Sequence, residues 1–247
     1  MLTLSLLFLL VSCHSNPPHY YTDFATLPSG WTQDTGCDHC SKRGGLECTA
    51  MTPNATTFGG IEGGKGLIHS TSYASSTACE ACNVTSGHIT WDPAILTGNI
   101  TVVARWFPGP AANVQSATGF IGLDSPDNVA SITQGFHGAG CPKDGPWPMG
   151  YQVGGYADVN RSHHQKSINT TVSVADAFNT YTVVWRMDSV TYFFNGAQVD
   201  AITKEADIPK IPMYLRLHSR SGWNDLLPRS PQPAFQAFIK SFEFTPL

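Results

Sequence analysis

Apolar and polar residues alternate along this chain in short runs, and no long stretch repeats at helical spacing. The clearest pattern begins at Phe178. Thr180-Tyr181-Thr182-Val183-Val184-Trp185 and Val190-Thr191-Tyr192-Phe193-Phe194 are β-branched and aromatic runs joined by Met187-Asp188-Ser189, so they read as adjacent strands. Asn195-Gly196 then turns the chain again. Further strands are expected at 66–73, 86–91, 98–107, 117–123, 129–136, 151–156, 168–174, 197–203, 213–219 and 235–244. Roughly a dozen short strands separated by turn residues predict an all-β sandwich or jelly roll. Residues 16–65 are rich in Gly, Thr, Cys and Pro and offer few strand candidates, so an irregular cysteine-rich layer on the main sandwich is expected there.

Composition narrows the class. At 247 residues the chain is long enough for one β-sandwich domain with a sizeable core. Only 13% of residues are charged, against roughly 25% in soluble proteins, and a net charge of −4 gives no support to nucleic-acid binding. Met1 to Val11 is almost wholly apolar, too short to span a bilayer, and is followed by small residues at Cys13 and Ser15. Residues 1–15 therefore read as a signal peptide without a basic start. Leu10-Val11-Ser12-Cys13 also resembles a bacterial lipoprotein signal. Five Asn-x-Ser/Thr sequons, at Asn54, Asn83, Asn99, Asn160 and Asn169, favour eukaryotic secretion instead, to the extracellular space or a cell wall.

Removing the leader takes Cys13 and leaves Cys37, Cys40, Cys48, Cys79, Cys82 and Cys141. An even number in an exported chain predicts disulfides, with the pairing open. Two Cys-x-x-Cys pairs offer zinc as the competing reading, which an oxidising compartment disfavours.

The order Phe-x-x-Tyr-x-x-x-Trp, Asp-Ser-Val-x-x-Phe, Asn-Gly, Pro-Met-Tyr-Leu between Phe178 and Leu215 resembles glycoside hydrolase family 16. Upstream, Gly98 to Gly109 is similar to the family's Gly-x-x-x-Ala-Arg-x-x-x-Pro-Gly strand, and Gly119 to Asn128 to the segment before its catalytic strand. The resemblance covers about residues 66–244. It implies a concanavalin-like β-sandwich over 66–247, a sugar cleft, and β-glucans or related polysaccharides as ligands.

The family's catalytic strand carries Glu-x-Asp-x-Glu. Side chains at i, i+2 and i+4 share one face of a strand, where the outer pair serves as nucleophile and acid/base. The flanking match puts that motif on Ser131-Ile132-Thr133-Gln134-Gly135, so Ser131, Thr133 and Gly135 replace the three acids. A shifted register, on Phe120, Gly122 and Asp124, restores no glutamate. The motif occurs nowhere in the chain, whose glutamates are Glu47, Glu62, Glu80, Glu205 and Glu243.

Other chemistry has little support. Asp124 and Asp127, in a Ser-Pro-Asp-Asn setting, read as turn residues, although relocated carboxylates remain an alternative. His163, His164 and His218 match no familiar metal spacing. No Gly-x-Ser-x-Gly is present, and Gly63-Gly64-Lys65 lacks the rest of a phosphate loop. No metal or cofactor is expected. Aromatic rings stack on sugar faces, so Trp223 and Trp147 are candidate ligand contacts, with Arg216 and His218 beside them; Trp185 reads as core. The expected cleft places 129–136 beside 213–219. Three functions follow: a secreted polysaccharide-binding domain without catalytic acids, an active hydrolase or transglycosylase using other carboxylates, or a structural or adhesion domain.

Overall fold

The computed structural model describes residues 15–38, 49–73, 84–107, 116–124, 130–138, 147–154, 164–174, 176–218 and 235–247. The early strands are β1 (Tyr20–Thr22), β2 (Trp31–Gln33), β3 (Gly36–Asp38), β4 (Thr49–Met51), β5 (Thr56–Ile61), β6 (Lys65–Tyr73) and β7 (Val84–Ser86). Next come β8 (His88–Ile95), β9 (Gly98–Phe107), β10 (Ser116–Asp124), β11 (Ser131–Gly138), β12 (Trp147–Gly154) and β13 (His164–Thr170). The chain finishes with β14 (Asn179–Trp185), β15 (Val190–Phe194), β16 (Ala197–Ile202), β17 (Met213–His218) and β18 (Phe235–Thr245).

Among the described residues these strands make two sheets. The large sheet runs β16-β15-β14-β9-β18-β6-β7-β4-β3, with β1 added to β18 and β5 to β6. The small sheet runs β13-β12-β11-β10-β17-β8-β2. Neighbours are antiparallel except β4 and β7. The sandwich expected from the alternation is what forms, and the hairpin pairs Tyr181 with Phe194 and Trp185 with Val190. Asn195 and Gly196 both take positive φ, as a two-residue turn of this type requires.

The core follows from side-chain alternation. Tyr181, Val183 and Trp185 of β14 and Ile100, Val102 and Ala104 of β9 face inward from the large sheet. Ile89, Trp91, Ile121, Leu123, Ile132, Leu215 and Leu217 meet them from the small one. On β18 the buried set changes phase, from Ala237 and Ile239 to Phe242 and Phe244, because the register shifts between Ile239 and Ser241. An extra residue in one strand turns every later side chain to the other face. Gln134 is a polar member of the interior: its Nε2 donates to the Phe193 carbonyl at 2.8 Å, beside the register shift between Tyr192 and Phe193.

Residues 16–65 differ from the expected irregular layer. Their described strands enter both sheets, and β5 and β6 form a hairpin across the 65/66 boundary. Trp31 packs its ring on Phe24, Trp91 and Phe242, while its Nε1 donates to the Tyr20 hydroxyl at 3.1 Å. These aromatics bury the same apolar surface as the main core. β1 to β4 are three residues long, too short for alternation to be read from sequence, and β5 carries Gly59 and Gly60 within its span.

Candidate functional site

The site is assembled on the outer face of the small sheet. On β11, Ile132 is buried in the core and Gln134 reaches across to β15, so Ser131, Thr133 and Gly135 share the opposite face. By the same alternation, Leu123 of β10 points inward and Gly122 and Asp124 outward. Leu215 and Leu217 of β17 point inward and Tyr214 and Arg216 outward.

Register brings these residues into rows. Thr133 lies opposite Gly122, Gly122 opposite Arg216, and Arg216 opposite Thr90 of β8. In the adjoining row Ser131 faces Asp124, which faces Tyr214. β10 therefore separates β11 from β17, and the expectation that those two strands run side by side is corrected. The segment 116–124 supplies the intervening strand.

Charge is balanced inside this face. Arg216 Nη1 lies 3.6 Å from Asp124 Oδ2, and Asp124 is only 6% exposed. Asp124 is the last residue of β10 rather than a turn residue, so the turn reading is also corrected. Its pairing with Arg216 meets the need of a buried carboxylate for a cation. The Arg216 Nε and the Thr133 hydroxyl are buried without a hydrogen-bond partner among the described residues. Either is a group that a ligand hydroxyl or an ordered water can satisfy.

His218 closes the row over Gly122, where a Cβ would stand 3.0 Å from the imidazole Cε1. The ring stacks on His88 at 5.3 Å between centroids. His88 follows Gly87, at the point where the chain passes from the large sheet to the small. Gly87 is required there, since a Cβ would fall 2.4 Å from His69 Nδ1. His69 is fully buried and shares a 3.2 Å hydrogen bond with Thr56 Oγ1. Burial, reinforced by the nearby His88, pushes the His69 imidazole down to about 3.

Of the residues singled out in the sequence, Arg216 and His218 thus join Ser131, Thr133 and Gly135 on or beside one sheet face. Trp147 begins β12 opposite Thr170, and Trp223 lies outside the described residues. Cys37 is disulfide-bonded; Cys40, Cys48, Cys79, Cys82 and Cys141 lie outside the described residues. Asn54 and Asn169 are exposed, Asn99 is half-buried within β9, and Asn83 and Asn160 are outside the described residues. Sequence reasoning missed Asp124 as the partner of Arg216 and did not single out His88. The signal for Asp124 was its position two residues after Gly122 on an alternating strand. Among the described residues no cluster of His, Cys, Asp or Glu could hold a metal ion.

Two packed, mostly antiparallel sheets with a polar outer face make a concanavalin-like β-sandwich. The protein-family model for glycosyl hydrolases family 16 matches residues 146–230, so the resemblance to that family holds. The Bacillus licheniformis β-glucanase superimposes with a TM-score of 0.69 at 16% identity, covering 94% of this chain and 100% of that one. The catalytic domain of an endo-1,3-β-glucanase (laminarinase) from Thermotoga petrophila gives 0.70 at 14% identity, covering 94% and 98%. A mixed-linkage glucan family 16 protein from Bacteroides ovatus, solved in complex with a product, gives 0.66 at 13%, covering 91% and 99%. No curated protein matches the sequence.

Proposed function

We propose that this protein is a secreted, non-catalytic binder of polysaccharide, with β-glucan as its ligand, and that the outer face of the small sheet is its binding surface. The observation that carries the reading is the shared face of Ser131, Thr133 and Gly135, on which β11 presents no carboxylate. Hydrolysis of a glycosidic bond uses two carboxyl groups, one on each side of the bond. Asp124 is engaged by Arg216, and toward the β2 edge of the sheet Asp34 and Asp92 accept hydrogen bonds from Thr90 and Thr32. The similarity to β-glucanases supports the ligand class, and the leader and sequons support secretion.

Binding chemistry follows from the groups present. The Thr133 hydroxyl both donates and accepts, and the Arg216 guanidinium donates, so the hydroxyls of a neutral sugar find complementary partners. Stacking on an aromatic such as Trp223 adds about 0.5–1.5 kcal/mol per ring, so affinity grows when several sugar units engage together. Titration calorimetry with a β-glucan oligomer series tests the reading. Affinity should rise with chain length and fall in Arg216→Ala and Trp223→Ala. If no glycan binds, the chain is a structural or adhesion domain.

A further inference from the structure

We propose that Asn169 carries an N-linked glycan that stands on the same sheet face as the binding surface and caps its Gly135 end. The capping half of this inference rests on the binding function proposed above; the modification does not. Asn169-Thr170-Thr171 is a sequon, and β13, which holds its asparagine, is the outermost strand of the small sheet. Ile168 packs against the core and Thr170 is buried, so alternation turns Asn169 to the opposite, outer face. Asn169 and Thr171 are both exposed. That is the face shared by Ser131, Thr133 and Gly135.

Register fixes how near the attachment point lies. Asn169 pairs with Pro148, while Gly135 pairs with Gly150, two residues along the same β12 strand. Two strand spacings and two residue rises place Asn169 roughly 12 Å from Gly135 across the sheet. A glycan rooted there is bulky and hydrated, and its first sugars extend over the surface that a long polysaccharide would cross. The other described sequons are placed differently. Asn54 is exposed on the turn before β5, at the large sheet, and Asn99 lies in β9 between β14 and β18 with its amide oxygen buried.

The test uses the full chain secreted from a eukaryotic host. Peptide-N-glycosidase treatment in heavy-oxygen water, followed by peptide mass mapping, should convert Asn169 to labelled aspartate. An unmodified Asn169 overturns the proposal. Thr171→Ala removes the sequon at an exposed position and leaves Asn169 in place, and Asn169→Gln provides a second route. Both should bind long β-glucan oligomers about five- to tenfold more tightly than the glycosylated protein, with disaccharide binding unchanged. Equal affinities with and without the glycan overturn the capping. If neither form binds any glucan, the binding function and the capping both fall, while the mass result still decides the modification.

Discussion

His164 of β13 and Asp200 of β16 meet at 2.8 Å between Nε2 and Oδ2, joining the outermost strand of the small sheet to the outermost strand of the large one. Lys166, two residues along β13, reaches the other carboxylate oxygen at 3.2 Å. The pair of contacts fastens one open edge of the sandwich. Burial pulls the Asp200 carboxyl upward, but the hydrogen bonds from His164 and Lys166 outweigh it and hold the group below the ordinary carboxylate range.

A carboxyl lowered in the folded state stabilises above its unfolded value, near pH 4, and that contribution disappears as pH falls through the folded value. Asp200→Asn should therefore cost about 1–2 kcal/mol at pH 7. Denaturant midpoints for the two proteins should draw together as the pH falls below about 4. A gap that persists there would show that shape, rather than charge, matters at this edge.

The buried His69 gives a second dependence on acid. Its folded value of about 3 lies below the unfolded value near 6.5, so the unfolded chain takes up a proton that the folded chain refuses. Stability should fall as pH drops from about 6.5 toward 3, by about 2 kcal/mol between pH 7 and pH 5. His69→Gln should flatten this part of the profile. Urea titrations across that range measure it, and an unchanged slope in the variant rules His69 out as the cause.

Gly122→Ala tests the packing of the site. The new Cβ would press on His218, which is only 4% exposed and has little room to retreat from His88. A loss of about 1–3 kcal/mol is expected from overpacking, with weaker glycan binding if His218 shifts the row. Thermal unfolding and glucan titration report the two effects separately.

At the other end of the hairpin, Gly196 holds a φ of 78°, with open space where a side chain would stand. Gly196→Ala should cost about 1 kcal/mol through backbone strain alone and leave glycan binding untouched.

Catalytic silence is the simplest prediction to check. Laminarin, lichenan and xyloglucan should show no hydrolysis above buffer, because spontaneous cleavage without paired acids is very slow. Turnover that survives stringent purification and is lost in Asp124→Asn would establish Asp124 as a working acid.

The hairpin from Tyr181 to Phe194 and the Asn195-Gly196 turn were legible in the sequence because local alternation and positive φ decide them. The phase of β11 was legible for the same reason. What escaped was set by distant partners. Strands as short as β1 to β4 exist because they complete sheets whose other members lie far along the chain. Asp124 reads as a turn residue until its opposite number, Arg216, is known. The neighbours of β11 also could not be ordered from alternation, since it reveals the face of a residue but not the sequence of strands across a sheet.

The hydrogen bond from Gln134 to the Phe193 carbonyl governs which face of β11 is presented. It anchors β11 to the opposite layer, so the strand cannot slide by one residue without withdrawing that bond and turning Ser131, Thr133 and Gly135 inward. The bond thus ties the face that β11 presents to a contact made on the far layer of the sandwich. Gln134 therefore works like a keel, steadying from the hidden side a row of residues that it never touches.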